Sequence, residues 1–490
     1  MRTGLVALAV LVLVGAAAPA PARAQGNLRA APTGGRSVLM GGTGVALGRD
    51  AAAPFLNPAT VARIDDSGIA FSSNFYTFTA TQFTGFHQPG PVDTAQFGAL
   101  NLPQPDLSRG RIDGLPATLC LFLKVGHHTA PITADENRAG RQKLAACLGN
   151  VERQLFDATG QGYTGDSGGL HTTQAISIAR RWNRLYVGPS YSVYVTDRLA
   201  IGASLDAIST TASSTWSVDT LSYGGPGPAA ASGFDTSYNA YSIDLGALFG
   251  VIYHIDSHQI VGLSVSTPTL HVVGGYKSTA TIGELAPNPA VSLTTASGGF
   301  ISAPPVRVSA GLGAELGRLR IEVDATLWVP VQPFARAEAQ VSQTTLVGNV
   351  STLRSYNELV DVDTQPIVDT SFGVEWFLSP SWSLLGGAST DWSALDALPS
   401  SPMPSTVAET RLHRLTTSFG VGMHGVATEL LLGTELSYGW GRSIAVDPYV
   451  DPPRLALVDE HAFGVMLVVA GRTSLAVVRE TLSRVIGAQP

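Results

Sequence analysis

Period-two alternation runs through most of this chain, and its two faces differ in kind. From Ile321 to Val329, one face reads Ile321, Val323, Ala325, Leu327 and Val329. The other reads Glu322, Asp324, Thr326 and Trp328. From Val306 to Leu316, Val306, Val308, Ala310, Leu312, Ala314 and Leu316 oppose Arg307, Ser309, Gly311, Gly313 and Glu315. The same contrast recurs at 117–125, 372–378 and 429–440. A two-residue period belongs to strands. A soluble sandwich alternates too, with its apolar face inward, so other features must decide. The segments reach ~10 residues, the length a tilted membrane strand needs. Tight connections at 196–197, 254–258, 317–318, 379–381 and 424–425 alternate with long ones at 212–238, 278–304, 334–364, 394–410 and 441–460. Short turns on one rim and long loops on the other mark an outer-membrane barrel. A charge facing lipid near mid-bilayer costs ~2–4 kcal/mol, so the carboxylates are expected to face the lumen.

Composition agrees. Only 14% of residues are charged, against ~25% in soluble domains. Yet beyond the first 20 residues no apolar run approaches the ~20 residues of a spanning helix. The net charge of −7 argues against nucleic acid as a partner. Two cysteines make no cysteine-rich metal site. "GLGAELG", 311–317, has no helix pattern behind it, so it is a strand and turn and not a dinucleotide loop. No cofactor is expected. Asp361, Asp363, Asp447 and Asp451 read as solvated loop charge. Strands are expected near 67–80, 92–102, 116–126, 184–196, 198–211, 239–254, 258–277, 305–316, 318–333, 365–378, 381–393, 411–424, 426–439 and 461–471. The fold class is all-β: a transmembrane antiparallel barrel of about 14 strands, spanning 65–471.

The first 24 residues read as an export signal. Arg2 precedes an apolar run from Gly4 to Ala18, and Ala22-Arg23-Ala24 fits the small-x-small rule. Cleavage after Ala24 would leave Gln25 as the mature N-terminus. Between strands, residues 127–171 form a long insert, expected over the outer mouth. Leu144, Cys147, Leu148, Val151 and Leu155 recur at three- and four-residue steps, which predicts an amphipathic helix within 137–158. Cys120 and Cys147 are the only cysteines of an exported chain, so a disulfide between them is expected. "GDSGG", 165–169, matches a serine-protease pentapeptide, but no base and orienter accompany Ser167 in a protease context. The chain is therefore not read as an enzyme. Leu475, Val478, Leu482 and Val485 are helically spaced, so the tail 472–490 is expected to hold a short helix.

The stretch "GGTGVALGRDAAAPFLNPATVARI", Gly41–Ile64, is bent and not a strand. Gly41 and Gly42 turn freely, and Asn57 before Pro58 starts a turn. With this stretch, the signal and the strand number together, the chain resembles the FadL/TodX family of outer-membrane transporters. The likeness rests on Asp50-Ala51 and Asn57-Pro58-Ala59, and more weakly on hairpins at 188–205 and 245–268. Thr60-Val61 departs from the family's usual Gly-Leu. The resemblance implies that 25–64 is a hatch plugging the lumen, with Gly41, Gly42, Asp50, Asn57, Pro58 and Ala59 as gating residues. It further implies a hydrophobic small-molecule ligand such as a fatty acid or aromatic compound, outer-membrane lipid around the barrel, and a monomer. A general diffusion porin and a structural or adhesive barrel are the competing readings.

Overall fold

A computed structural model describes residues 27–29, 33–84, 106–112, 117–125, 138–167, 170–223, 230–284, 289–331, 333–362, 364–395, 398, 410–447 and 454–479. The expected cleavage site at Ala24–Gln25 and the expected strand at 92–102 lie outside these residues. Among them no helix is long and apolar enough to cross a membrane.

The strands are β1 Gly68–Thr84, β2 Asp106–Ile112, β3 Thr118–Val125, β4 Gln142–Ser167, β5 Leu170–Tyr194, β6 Leu199–Tyr223, β7 Ala230–His254, β8 Gln259–Ser266, β9 Leu270–Glu284 and β10 Ala290–Ser302. They continue with β11 Val306–Leu316, β12 Leu319–Val329, β13 Ala335–Val347, β14 Val350–Val362, β15 Ile367–Ser379, β16 Trp382–Asp391, β17 Thr410–His424, β18 Thr428–Asp447 and β19 Arg454–Ser474. Every pairing is antiparallel. A closed ring of 14 runs β1, β3, β4, β5, β6, β7, β8, β11, β12, β15, β16, β17, β18 and β19, and β19 returns to β1. The outer face carries exposed Phe71, Leu205, Phe249, Leu263, Val323, Phe372, Trp376, Phe419 and Leu432, an apolar belt suited to lipid. Glu322, Asp324 and Glu375 are buried on the inner face. This is a transmembrane β-barrel.

Above the ring the wall continues. β4 to β7 each run 25 or 26 residues. At ~3.4 Å per residue such a strand spans about 80 Å, far more than a tilted crossing of a ~30 Å bilayer core requires. β9, β10, β13 and β14 extend this wall from the upper half of β7.

The structure corrects several expectations. Residues 142–167 are strand and not helix. Lys143, Ala145, Cys147 and Gly149 turn inward while Leu144 and Ala146 face out. The strand thus splits Leu144 and Cys147 between its two faces, and cross-strand pairing overrides the helical spacing of the apolar residues. Arg138–Arg141, at the start of the insert, sits beside the β5–β6 turn on the short-turn rim, with Ala139 N–H donating to Asp197 at 3.0 Å. The expected strand at 184–196 begins at 170, and most of the expected long loops at 212–238, 278–304, 334–364 and 441–460 are strand. The expected strand at 258–277 is interrupted at 267–269, where Pro268 cannot donate to a ladder. The last strand runs to Ser474, and residues 475–479 are helical.

Candidate functional site: the N-terminal segment and the chamber above it

Residues 33–64 lie against the inner face of the ring, almost wholly buried. Helix α1, Arg36–Leu39, helix α2, Ala53–Leu56, and a 3-10 turn, Pro58–Arg63, are joined by tight bends. Gly41 and Gly42 adopt φ of +69° and +82°, where a side chain is strained. A Cβ on Gly41 would also meet the wall, 2.5 Å from Ala388 N and 2.6 Å from Phe372 O.

The wall receives the segment through its own glycines. A Cβ on Gly202 would fall 2.5 Å from Ala59 N, one on Gly262 2.0 Å from Val45 O, and one on Gly387 2.2 Å from Gly41 N. Similar clashes at Gly149 with Phe55 and at Gly313 with Leu47 complete the circuit. Inward glycines therefore let plug backbone approach wall backbone closely. Gly311 and Gly313 lie on the face that the sequence alternation assigns to the lumen, but nothing in that alternation marks them as seats.

Side chains supply the polar half of the fit. Asp324 accepts from the amides of Gly44 and Val45 at 2.9 and 3.1 Å, and Glu322 from Ala46 and Leu47 at 2.6 and 2.9 Å. Four successive N–H groups that no helix satisfies thus find acceptors. Three plug arginines meet wall glutamates. Arg36 pairs with Glu375 and Glu429. Arg49 and Arg63 reach Glu315 at 2.7 and 3.2 Å. Burial opposes the charge of Arg36, but Glu429 and Glu375 hold its pKa above the ordinary arginine value. Burial, with Arg49 alongside, pulls Arg63 down to about 10.

The six residues expected to gate are all in this segment, spread along it and not gathered at one point. Asn57 donates to Val45 O at 2.6 Å and to Val251 O of β7 at 3.1 Å, and its Oδ1 accepts from Ala59 N at 3.1 Å. It thereby ties both halves of the plug to the wall. Pro58 occupies the first position of the 3-10 turn, where no donor is needed. Ala59 is fully buried over Gly202, which leaves no room for a larger side chain. Asp50 accepts from Ser37 N, Ser37 Oγ and Ala52 N at 3.0–3.1 Å. Burial raises its pKa, against the pull of those donors and of Arg36. Arg36, Arg63, Glu315, Glu322 and Asp324 were not singled out as site residues; their fixed-sign pairing across the lumen has no short motif.

Cys120 and Cys147 stand opposite each other in the β3–β4 register, with Cα atoms 4.2 Å apart, and are disulfide-bonded. The bond joins strand to strand, whereas the sequence reading had it hold a helix. Ser167 ends β4 in register with Leu170, at the far tip of the hairpin. Asp361 is held by Arg336 at 2.7 Å.

Against the plug lie two adjoining hollows of about 50 and 70 Å³. They share Val151, Arg307 and Trp328. Phe55, Tyr186, Ile208 and Leu248 line the first, and Leu28, Val38, Val45 and Leu56 line the second. Phe55 belongs to the plug, so the plug is the floor of the chamber. Arg307 donates to Phe55 O, and its guanidinium lies 5.8 Å from the Trp328 ring centre.

A second feature concerns the wall. The β1–β3 ladder is five residues long, Gly68–Ser72 against Thr118–Phe122. Past it β1 is irregular at Asn74–Tyr76 and pairs with β2 instead.

No protein-family model and no curated protein matches this sequence. Solved structures do. A FadL homologue from Pseudomonas aeruginosa aligns with a TM-score of 0.51 at 15% identity, covering 92% of this chain and 100% of that one. The toluene transporter TodX from Pseudomonas putida gives 0.51 at 14% identity, covering 91% and 98%. The chain has the FadL/TodX fold. At this identity the likeness establishes the architecture of a FadL-type barrel. The chemistry of its chamber must be argued from its own residues.

Proposed function

We propose that this FadL-type barrel carries hydrophobic small molecules inward across the outer membrane, and that movement of residues 33–64 gates the passage. The reading rests on the chamber above the plug. It is walled by Val151, Tyr186, Ile208, Leu248 and Trp328 and floored by Phe55. Sites that take apolar ligands are mostly apolar with a few placed polar groups; here Arg307, Glu152 and Asp206 are those groups. A ligand seated there rests on the element that blocks its path. The short β1–β3 seam is the weakest part of the ring and gives a lateral exit toward lipid. Gly41, Gly42, Asp50, Asn57, Pro58 and Ala59 hold the closed form.

The test is a reversible lock. In Leu47→Cys/Gly313→Cys, the two side chains fall where Leu47 Cγ now meets the Gly313 position, 2.3 Å from a Cβ there. Uptake of a labelled long-chain fatty acid and of a small aromatic hydrocarbon should stop on oxidation and recover with reductant. The wild-type protein under the same treatments is the control. Equal uptake from locked, unlocked and barrel-free membranes would reject the proposal. A diffusion porin is the second reading. It predicts steady ion conductance in planar bilayers with the plug locked.

A further inference from the structure

We propose that the outward face of β17, β18 and β19 binds the phosphate of a lipid headgroup, in the leaflet farther from the short-turn rim. The outward residues of these strands fall into rows by register. Leu415, Tyr438 and Phe463 form one row, His413, Trp440 and His461 the next, and Arg411, Arg442 and Asp459 the one above. Below these rows the same face carries Thr417, Phe419, Val421 and Met423 on β17, Leu430, Leu432, Thr434 and Leu436 on β18, and Val465, Leu467 and Val469 on β19. Going up from the turn at 425–427, the first charged row on this face is therefore that of Arg411, Arg442 and Asp459.

The height of that row matches a headgroup. From Leu430 to Trp440, a strand rising ~3.4 Å per residue at a tilt of ~40° climbs about 26 Å. The apolar band of a membrane barrel is ~25 Å tall and is flanked by aromatic girdles. The row of His413, Trp440 and His461 is thus the girdle, and the arginines stand just outside the hydrocarbon. The rings of the girdle touch one another. Trp392 lies 5.5 Å from His413 and 6.1 Å from Trp440 between ring centres. Tyr438 stacks 5.9 Å from Trp440, and its hydroxyl is 3.2 Å from His461 Nδ1.

Charge supplies the second argument. Arg411 and Arg442 are directly opposed on neighbouring strands. Like charges so placed are unfavourable by themselves, and a phosphate between them takes a charge-assisted hydrogen bond from each guanidinium. Arg442 meets Asp459 through Nε alone, at 3.4 Å, and both side chains are 55% exposed. A pair in that setting is worth little and leaves the terminal amino groups of Arg442 turned to the surface. Behind the row, Arg180 donates to Thr410 at 2.9 Å and to Ser443 at 3.0 Å, the neighbours of Arg411 and Arg442. The two strands are therefore braced from within where they carry the arginines. Acyl chains descending from the phosphate would lie on the exposed Leu415, Tyr438 and Phe463. That continuity of charge, rings and apolar belt selects a lipid as the source of the phosphate.

The test uses the full-length protein in a non-ionic detergent, with bound lipid counted by native mass spectrometry across a titration of phosphatidic acid. Diacylglycerol with the same chains and inorganic phosphate are the other probes. The wild type should bind phosphatidic acid roughly tenfold or more tightly than diacylglycerol, and should hold no inorganic phosphate at the same concentrations. Arg442→Gln should weaken phosphatidic acid binding, and Arg411→Gln/Arg442→Gln should remove the preference over diacylglycerol. Asp459→Asn should tighten binding, because it removes the carboxylate that competes for Arg442; a merely structural role for the arginine would not produce that gain. Arg354→Gln, on exposed β14 outside the ring, should change nothing. Heat-resistant mobility on gels checks that each variant is folded. Equal binding of the two lipids, a double variant that binds like wild type, an Asp459→Asn variant no tighter than wild type, or inorganic phosphate held as tightly as phosphatidic acid would each overturn the proposal.

Discussion

The wall at plug height and the wall above it are built from the same strands on different principles. At plug height many inward positions meet residues 33–64. Glycines admit backbone, and Glu315, Glu322, Asp324 and Glu375 meet amides and arginines. Higher up, cohesion comes from clusters such as Phe83, Ile178, Trp216, Val218 and Phe234, with Arg180 stacked 4.6 Å over Trp216. Between the clusters, serine and threonine occupy much of the surface, as in "STTASST", 209–215. The lower wall is organised by what it holds, and the upper wall by itself.

If that contrast is right, damage should stay local. The largest effect is expected from Glu322→Ala/Asp324→Ala. It leaves four plug amides without acceptors, a loss on the order of 5 kcal/mol to plug seating. Limited proteolysis should then cut within 33–64, and ion conductance should rise, while the barrel keeps its heat-resistant mobility on gels. Protection of the segment from protease would break the comparison. Trp216→Ala should cost about 3–5 kcal/mol by opening a buried cavity. Hydrogen exchange should quicken at the upper ends of β5, β6 and β7 without exposing the plug. A plug that loosened as well would mean that the two levels are coupled.

The difference between the levels also explains what the sequence revealed. Segments that face lipid on one side and lumen on the other alternate cleanly, as in 306–316 and 319–329, and the ring was legible from them with the exception of β4. Upper strands face water on at least one side and carry small polar residues on both. Their pattern is that of a loop, which is why 212–238 and 334–364 were read as loops. Residues 137–158 were read as holding a helix because Leu144, Cys147, Leu148, Val151 and Leu155 recur at helical steps, a spacing that the pairing of β4 with β3 and β5 overrides. In the plug, Asn57-Pro58-Ala59 was legible as a local turn. The wall glutamates that grip it were visible only as inward charges, since their partners lie some 270 residues away along the chain.

Two smaller effects sharpen the comparison. Removing the disulfide with Cys120→Ala/Cys147→Ala opens a 27-residue link and should cost about 2–4 kcal/mol. The loss, read by thermal unfolding of the detergent-solubilised protein, should centre on β3 and β4 beside Phe55. Thr215→Ala, on the exposed face of the upper wall, should change stability by less than about 0.5 kcal/mol. A larger loss would show that the polar upper strands are held by more than their ladders.

The ring is sealed by β1 and β19, the first and last of the described strands. Synthesis therefore delivers one lip of the closure some 400 residues before the other. Residues 33–64 immediately precede that first lip, and the finished cylinder encloses them. Biogenesis must hold β1 open while the tail arrives, and the stopper has to be inside before the seam zips. A mis-seated segment would then register as a failure of circularisation.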